Sequence, residues 1–144
     1  VRLMMLPGTF CTTFHVSLCE TARLHELVRD FGANHGVPED AVFVVILSLD
    51  ELMTNIVTHG CQRDPRAREI VLRLCAADGR LSAEIEDDGC AFNPLDAPEP
   101  DLDACLHDRD LGGLGIHLAR SLLDHVCYSR VGQRNLLTLT KLCS

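Results

Sequence analysis

Glu51 and Asn55 stand four residues apart in Ser48-Leu49-Asp50-Glu51-Leu52-Met53-Thr54-Asn55-Ile56-Val57-Thr58-His59-Gly60, so on an α-helix they project side by side. With Ser48, and then Thr58 or His59, they form one polar stripe on a strongly apolar segment. A buried helix keeps such a stripe only if something polar faces it. A carboxylate there can take a proton from a hydroxyl or a water, and an amide oxygen is a neutral ligand for Mg²⁺. Together they suit phosphoryl transfer, in which a cation bridging phosphate oxygens neutralises developing charge. The plain alternative is a helix running into a loop, with an exposed Glu and a capping Asn.

Further on, Asp87-Asp88-Gly89-Cys90-Ala91-Phe92-Asn93-Pro94 follows a strand-like run. A carboxylate at a strand end, facing a pocket, can accept a hydrogen bond from an exocyclic amine, which adenine presents where guanine presents a carbonyl. Gly89 would let a flat base lie close to the backbone. Taken alone, Asp-x-Gly is also an ordinary acidic turn, and Asp88 is expected in solvent. Gly112-Gly113-Leu114-Gly115 opens a helical pattern, and several unpaired backbone N–H groups at a helix start suit an anion such as phosphate. It reads equally as a hinge before an amphipathic helix. No Gly-xxxx-Gly-Lys-Ser/Thr occurs, which excludes a P-loop, and no strand precedes the glycines closely enough for a Rossmann turn.

An acid-xxx-Asn helix, then an Asp-x-Gly turn, then a glycine loop opening a helix: this order resembles the N, G1 and G2 boxes of the GHKL ATPases, the superfamily of histidine-kinase ATPase domains and gyrase. Most similar is its small single-domain branch, the anti-sigma-factor serine kinases. The resemblance implies that Glu51 is the general base, Asn55 the Mg²⁺ ligand and Asp87 the adenine-reading residue, with Gly89 beside the base. Ala91 stands where the family usually has a second glycine, and Asn93 replaces a frequent acid; the added methyl would narrow the floor of the pocket. Gly112, Gly113, Leu114 and Gly115 would hold phosphates. His59 either borders those phosphates or caps its helix, where positive charge is favoured. Arg109 either reaches a γ-phosphate or is a solvated charge.

The activity implied is that of an ATP-binding, Mg²⁺-dependent serine/threonine protein kinase that phosphorylates a serine on an anti-sigma-factor antagonist and sequesters a sigma factor. Homodimerisation is a family expectation. The rival from another class is a non-catalytic module in which ATP only orders a loop and so controls a partner surface. The ATPase domain of a histidine kinase would need dimerisation helices ahead of the first strand, and the eight residues there are expected to be too few.

The elements that must position these residues follow from periodicity. Thr9 to Leu18 alternates as a first strand, and Glu20 to His35 has Leu24, Leu27, Val28 and Phe31 at helical spacing, with Gly32 and Gly36 marking a fraying end. Pro38-Glu39-Asp40 opens the next helix, with Pro near its first position, and that helix runs to about His59-Gly60. Glu69 to Ala76 and Arg80 to Glu86 are strands joined by the Asp78-Gly79 turn. Asn93 to Asp110 is expected to be a long irregular loop, and Leu95 to Leu111 a nucleotide lid. Gly113 to about Asp124 is helical; His125 to Arg130 and Asn135 to Lys141 are strands around Gly132-Gln133. This order predicts an α+β two-layer sandwich, a mostly antiparallel sheet covered on one face by helices. The resemblance implies the Bergerat-type ATP-binding fold of the same layout.

At 144 residues, 47% of them apolar, the chain is expected to form a single domain with a substantial core, residues 1–8 being a flexible start. A formal charge of −8 argues against nucleic acid or an anionic membrane as partner and suits basic protein surfaces. The longest apolar run, Ala41 to Leu49, is far below the roughly 20 residues that span a bilayer. The first eight residues lack the regions of a signal peptide, so a cytoplasmic protein is expected. The eight cysteines sit singly with no CxxC pair, as small hydrophobes rather than a disulfide or metal framework, and the histidines show no paired metal spacing.

Overall fold

The computed structural model of the chain describes residues 8–15, 21–56, 69–96, 117 and 119–143. Among the described residues five strands form one sheet: β1 (Thr9–His15), β2 (Glu69–Ala77), β3 (Arg80–Asp87), β4 (His125–Val131) and β5 (Arg134–Leu142). Their order is β1-β2-β3-β5-β4, and every neighbouring pair is antiparallel. Both tight turns follow from sequence. Asp78 and Gly79 take positive φ (52° and 72°), as a type I′ hairpin requires. In the β4–β5 turn Gly132 takes φ 61°, so the glycine stands where an L side chain would be strained.

Alternation divides the sheet into two faces. Phe14, then Ile70, Leu72 and Leu74, then Leu81, Ala83 and Ile85, then Leu137 and Leu139 point to one side and are buried. That side meets α1 (Thr21–Asn34) through Leu24, Val28 and Phe31, and α2 (Glu39–Asn55) through Val45, Leu49, Leu52 and Met53. Each such side chain, fully buried, contributes about 1.5–3 kcal/mol. Arg73, Glu84, Glu86 and Thr138 occupy the opposite face, which no helix described here covers. The two-layer expectation therefore holds, with α1 leaning on β2 and α2 on β3 and β5.

The helix ends differ from expectation in instructive ways. Gly32 does not mark fraying: a Cβ there would lie 2.5 Å from Val42 Cγ2, so the missing side chain lets α1 and α2 approach. Gly36 (φ 67°) ends α1, where Val37 N–H donates to Gly32 O at 2.9 Å, the bond of a Schellman cap. Pro38 stands at the N-cap of α2 rather than at its first helical position, and Glu39 and Asp40 fill the first turn. At the other end Ile56 keeps helical dihedrals, and the expected extension to His59-Gly60 lies outside the described residues. The same holds for the expected continuation of β1 to Leu18.

After β3 the chain enters a single 3-10 turn at Pro94–Asp96, stabilised by Leu95 N–H donating to Asn93 Oδ1 at 2.9 Å. Arg120 donates to Leu95 O at 3.0 Å, tying this turn to the helical residues 117 and 119–122. Of the expected lid only Leu95 and Asp96 are described. Among the described residues no helix is long and apolar enough to cross a membrane.

Candidate functional site

Because β3 alternates Leu81, Ala83, Ile85, its next core-facing position is Asp87, a carboxylate only 5% exposed at the end of the central strand. Its strand partner in register is Asn135 of β5, likewise buried. Asp87 Oδ1 accepts from Gly89 N–H at 2.9 Å and from Asn135 Nδ2 at 3.1 Å. Among the described residues nothing donates to Oδ2. Burial pushes the Asp87 carboxyl above the ordinary carboxylate range, and the neighbouring Asp88 adds to this. The bonds from Asn135 and Gly89 and the charge of Arg130 oppose it without cancelling it.

A polar cluster closes round this carboxylate. Asn135 Nδ2 also donates to Cys90 O at 2.9 Å, while Asn135 Oδ1 accepts from Tyr128 OH at 2.5 Å, Arg130 Nη1 at 3.0 Å and Phe92 N–H at 3.4 Å. Arg130 Nη1 donates to Gly89 O at 2.8 Å as well. The turn after β3 is thus held by side chains of the β4–β5 hairpin. Gly89 is buried and Ala91 is exposed. Asp88, expected in solvent, is half-buried, with Oδ1 shielded and without a partner.

On α2 the polar stripe resolves residue by residue. Ser48 is fully buried and satisfied within the helix, donating to Val44 O at 2.7 Å. Glu51 is half-buried one turn later. Asn55 is 5% exposed, and its Nδ2 is buried with no hydrogen-bond partner. Such an orphan is costly, about 1–3 kcal/mol, unless something absent from the apo chain satisfies it. Turning the amide over exchanges its donor and acceptor ends, so this position can present either an N–H or a carbonyl oxygen. A carbonyl oxygen fits Mg²⁺. Among the described residues no group of three or more His, Cys, Asp or Glu could hold a metal.

His59, Arg109 and the glycine cluster Gly112, Gly113, Leu114 and Gly115 lie outside the described residues. Asp87 and Gly89 are brought together by a direct hydrogen bond, and Glu51 and Asn55 share the last turns of α2. Sequence reasoning missed Asn135, Tyr128 and Arg130, although a polar residue in phase with Leu137 and Leu139 was a visible signal. It also missed His25 on α1, whose Nε2 lies 2.7 and 2.6 Å from the two Asp50 oxygens on α2. That pair lines a groove of about 1060 Å³ along α1 and α2 with Phe43, and none of the described candidate residues lines it. Cys11, Cys75, Cys127 and Cys143 are free thiols.

Residues 16–141 match the histidine kinase-like ATPase domain family. A serine/threonine-protein kinase of Bordetella bronchiseptica, BtrW, is 35% identical over 99 residues, 68% of each chain. Among solved structures, the RsbU and RsbW domains of a Mycobacterium tuberculosis protein superpose with a TM-score of 0.66 at 18% identity, over 94% of this chain and 32% of that one. This chain therefore spans about a third of the length of that solved chain. The histidine kinase domain of a blue-light activated histidine kinase from Erythrobacter litoralis gives 0.53 at 16% identity, over 87% of this chain and 60% of that one. Identities this low speak for the fold.

Proposed function

Because the chain belongs to the histidine kinase-like ATPase domain family, the GHKL ATPases, we propose that it is an ATP-binding serine/threonine kinase acting on a serine of an anti-sigma-factor antagonist and sequestering a sigma factor. The observation that carries the nucleotide part is Asp87, a buried carboxylate whose Oδ1 is filled by two donors while Oδ2 is left for a third. An adenine amine is a donor of that kind. Similarity to a serine/threonine-protein kinase supports a hydroxyl as the phosphoryl acceptor.

In this reading each residue has one task. Asp87 accepts the adenine amine, with Gly89 and Ala91 along the base. Asn55 turns its amide oxygen to Mg²⁺. Glu51, one turn earlier, takes the proton of the attacking serine hydroxyl. Gly112, Gly113, Leu114 and Gly115 offer backbone N–H groups to phosphates, with His59 beside them. Mg·ATP, when bound, supplies the phosphoryl group and the cation that spreads its charge.

The test is incubation with γ-labelled Mg·ATP and candidate antagonist proteins. The expected result is a labelled antagonist serine, with Glu51→Gln retaining nucleotide and losing about 10²–10⁴-fold in transfer rate. If the wild type labels no antagonist while ATP still alters sigma-factor binding, the chain is a non-catalytic regulatory module.

A further inference from the structure

We propose that Asn135 is a positioning residue that holds Asp87 as a pure hydrogen-bond acceptor, and thereby sets a preference for adenine over guanine nucleotides. The inference rests on Asp87 being the base-recognising carboxylate. Asn135 occupies a core position of β5 in phase with Leu137 and Leu139, where a polar side chain is tolerated only if its hydrogen bonds are made. They are made at both ends. The two Nδ2 hydrogens go to Asp87 Oδ1 and Cys90 O; Oδ1 accepts from Tyr128 OH, Arg130 Nη1 and Phe92 N–H.

This pattern fixes the amide's orientation. Turned over, the NH₂ group would face the Arg130 guanidinium and the Phe92 N–H, neither of which can accept, and the amide oxygen would face a carboxylate and a carbonyl. Asp87 therefore always meets a donor on its Oδ1, with Gly89 N–H as the second. Its remaining oxygen is left to accept from the ligand. An ionised Asp87 welcomes adenine's amine and repels guanine's carbonyl at the same edge, whereas a protonated Asp87 could donate to that carbonyl. Discrimination thus depends on keeping the proton off. Of the charged groups acting on Asp87, Asp88 after β3 favours the proton and Arg130 of β4 disfavours it; burial is the largest influence and favours it, and the Asn135 bond is the largest opposing one.

Asn135→Asp isolates this role. It preserves size and the acceptor oxygen used by Tyr128, Arg130 and Phe92, and it replaces the donor shared by Asp87 and Cys90 O with a second carboxyl that must share a proton with Asp87. Calorimetry of the full chain with ADP and GDP across pH should give three results: an ADP affinity about 10- to 100-fold weaker near neutral pH, a pH midpoint displaced upward, and a narrowed ADP-to-GDP ratio. A folded variant with the wild-type profile and ratio overturns the proposal. So does an equal loss for both nucleotides at every pH, the mark of a merely structural role. If Asn135→Asp fails to fold, Tyr128→Phe releases one anchor of the amide and should move midpoint and ratio the same way by a few-fold; an unmoved profile overturns the proposal there. A wild type that binds neither nucleotide instead removes the reading of Asp87 itself, whereas a wild type that prefers ADP while the variants behave identically removes only the role of Asn135.

Discussion

Glu86 and Asp87 are consecutive on β3, yet their carboxyls lie on opposite faces of the sheet and are pushed in opposite directions. Glu86 points away from the helices and accepts from Arg73 Nη2 at 2.6 Å and Arg134 Nε at 2.9 Å, so the Arg73 bond first, with Arg134 after it, holds it below the ordinary range. Asp87 points inward, where burial raises it. One residue's step along a strand separates a charge placed for stability from a charge placed in the candidate site.

For Asp87 the linkage sign follows from the raised value. Between its unfolded and folded pKa the native state holds the proton more tightly, so Asp87 favours folding at low pH. That advantage is lost as pH rises through the folded pKa. Asp87→Asn removes the buried charge, and its amide oxygen can still accept from Gly89 and Asn135. The apo variant should therefore match or exceed wild-type stability above that pKa while losing about 1–3 kcal/mol of adenine nucleotide affinity. Thermal melts across pH, paired with calorimetry, check both. A destabilised variant that still binds ATP as the wild type does would reverse the assignment.

Glu86 runs the other way. Its lowered pKa contributes stability that is fully present above the unfolded pKa and disappears as pH falls through the folded one. The Arg73 and Arg134 side chains are 43% and 36% exposed, so solvent screening keeps the contribution small. Glu86→Gln should lose about 0.5–1 kcal/mol at neutral pH and nothing once Glu86 is protonated in both states. Urea midpoints at neutral and acid pH, with and without added salt, measure it.

How much of this was legible beforehand depends on the range of the interactions. Alternation in Arg80 to Glu86, the Asp78-Gly79 turn and the apolar spacing of Leu24, Leu27, Val28 and Phe31 are local, and they placed Asp87 at a strand end with helices on one face. In the sequence Asn135 is no more than the start of a strand. Its significance comes from the β3–β5 register, which sets it opposite a residue 48 positions earlier. His25 and Asp50 meet across two helices with 25 positions between them, and neither carries a local signal. The local sequence around Gly32 cannot distinguish a glycine that loosens a helix from one that lets a second helix in.

That second role is testable on its own. Gly32→Ala puts a Cβ 2.5 Å from Val42 Cγ2, so α1 must move or Val42 must change rotamer. The expected cost is about 1–3 kcal/mol, outweighing the helix-propensity gain of about 1 kcal/mol from replacing glycine. Pairing it with Val42→Ala removes the clashing methyl, and the double-mutant cycle should return a favourable coupling. Strictly additive urea stabilities would mean that the helices do not meet at this point.

Asn55 poses the sharpest opposition between stability and function. Its Nδ2 is buried without a partner, so in the nucleotide-free chain the side chain carries a desolvation penalty with no return. Leucine is close in shape and has no polar atom to satisfy. Asn55→Leu should therefore leave the apo protein as stable as the wild type or more stable by about 1 kcal/mol, where an ordinary buried, hydrogen-bonded Asn would show a loss. The same change removes the one amide that α2 offers to Mg²⁺ on this reading, so Mg²⁺-dependent tightening of ATP binding should vanish while any Mg²⁺-independent binding through Asp87 persists. Urea denaturation without nucleotide, and calorimetric titration of ATP with Mg²⁺ or with EDTA, read the two halves separately. A destabilised variant whose ATP binding still responds to Mg²⁺ would make Asn55 a structural residue and move the metal site elsewhere.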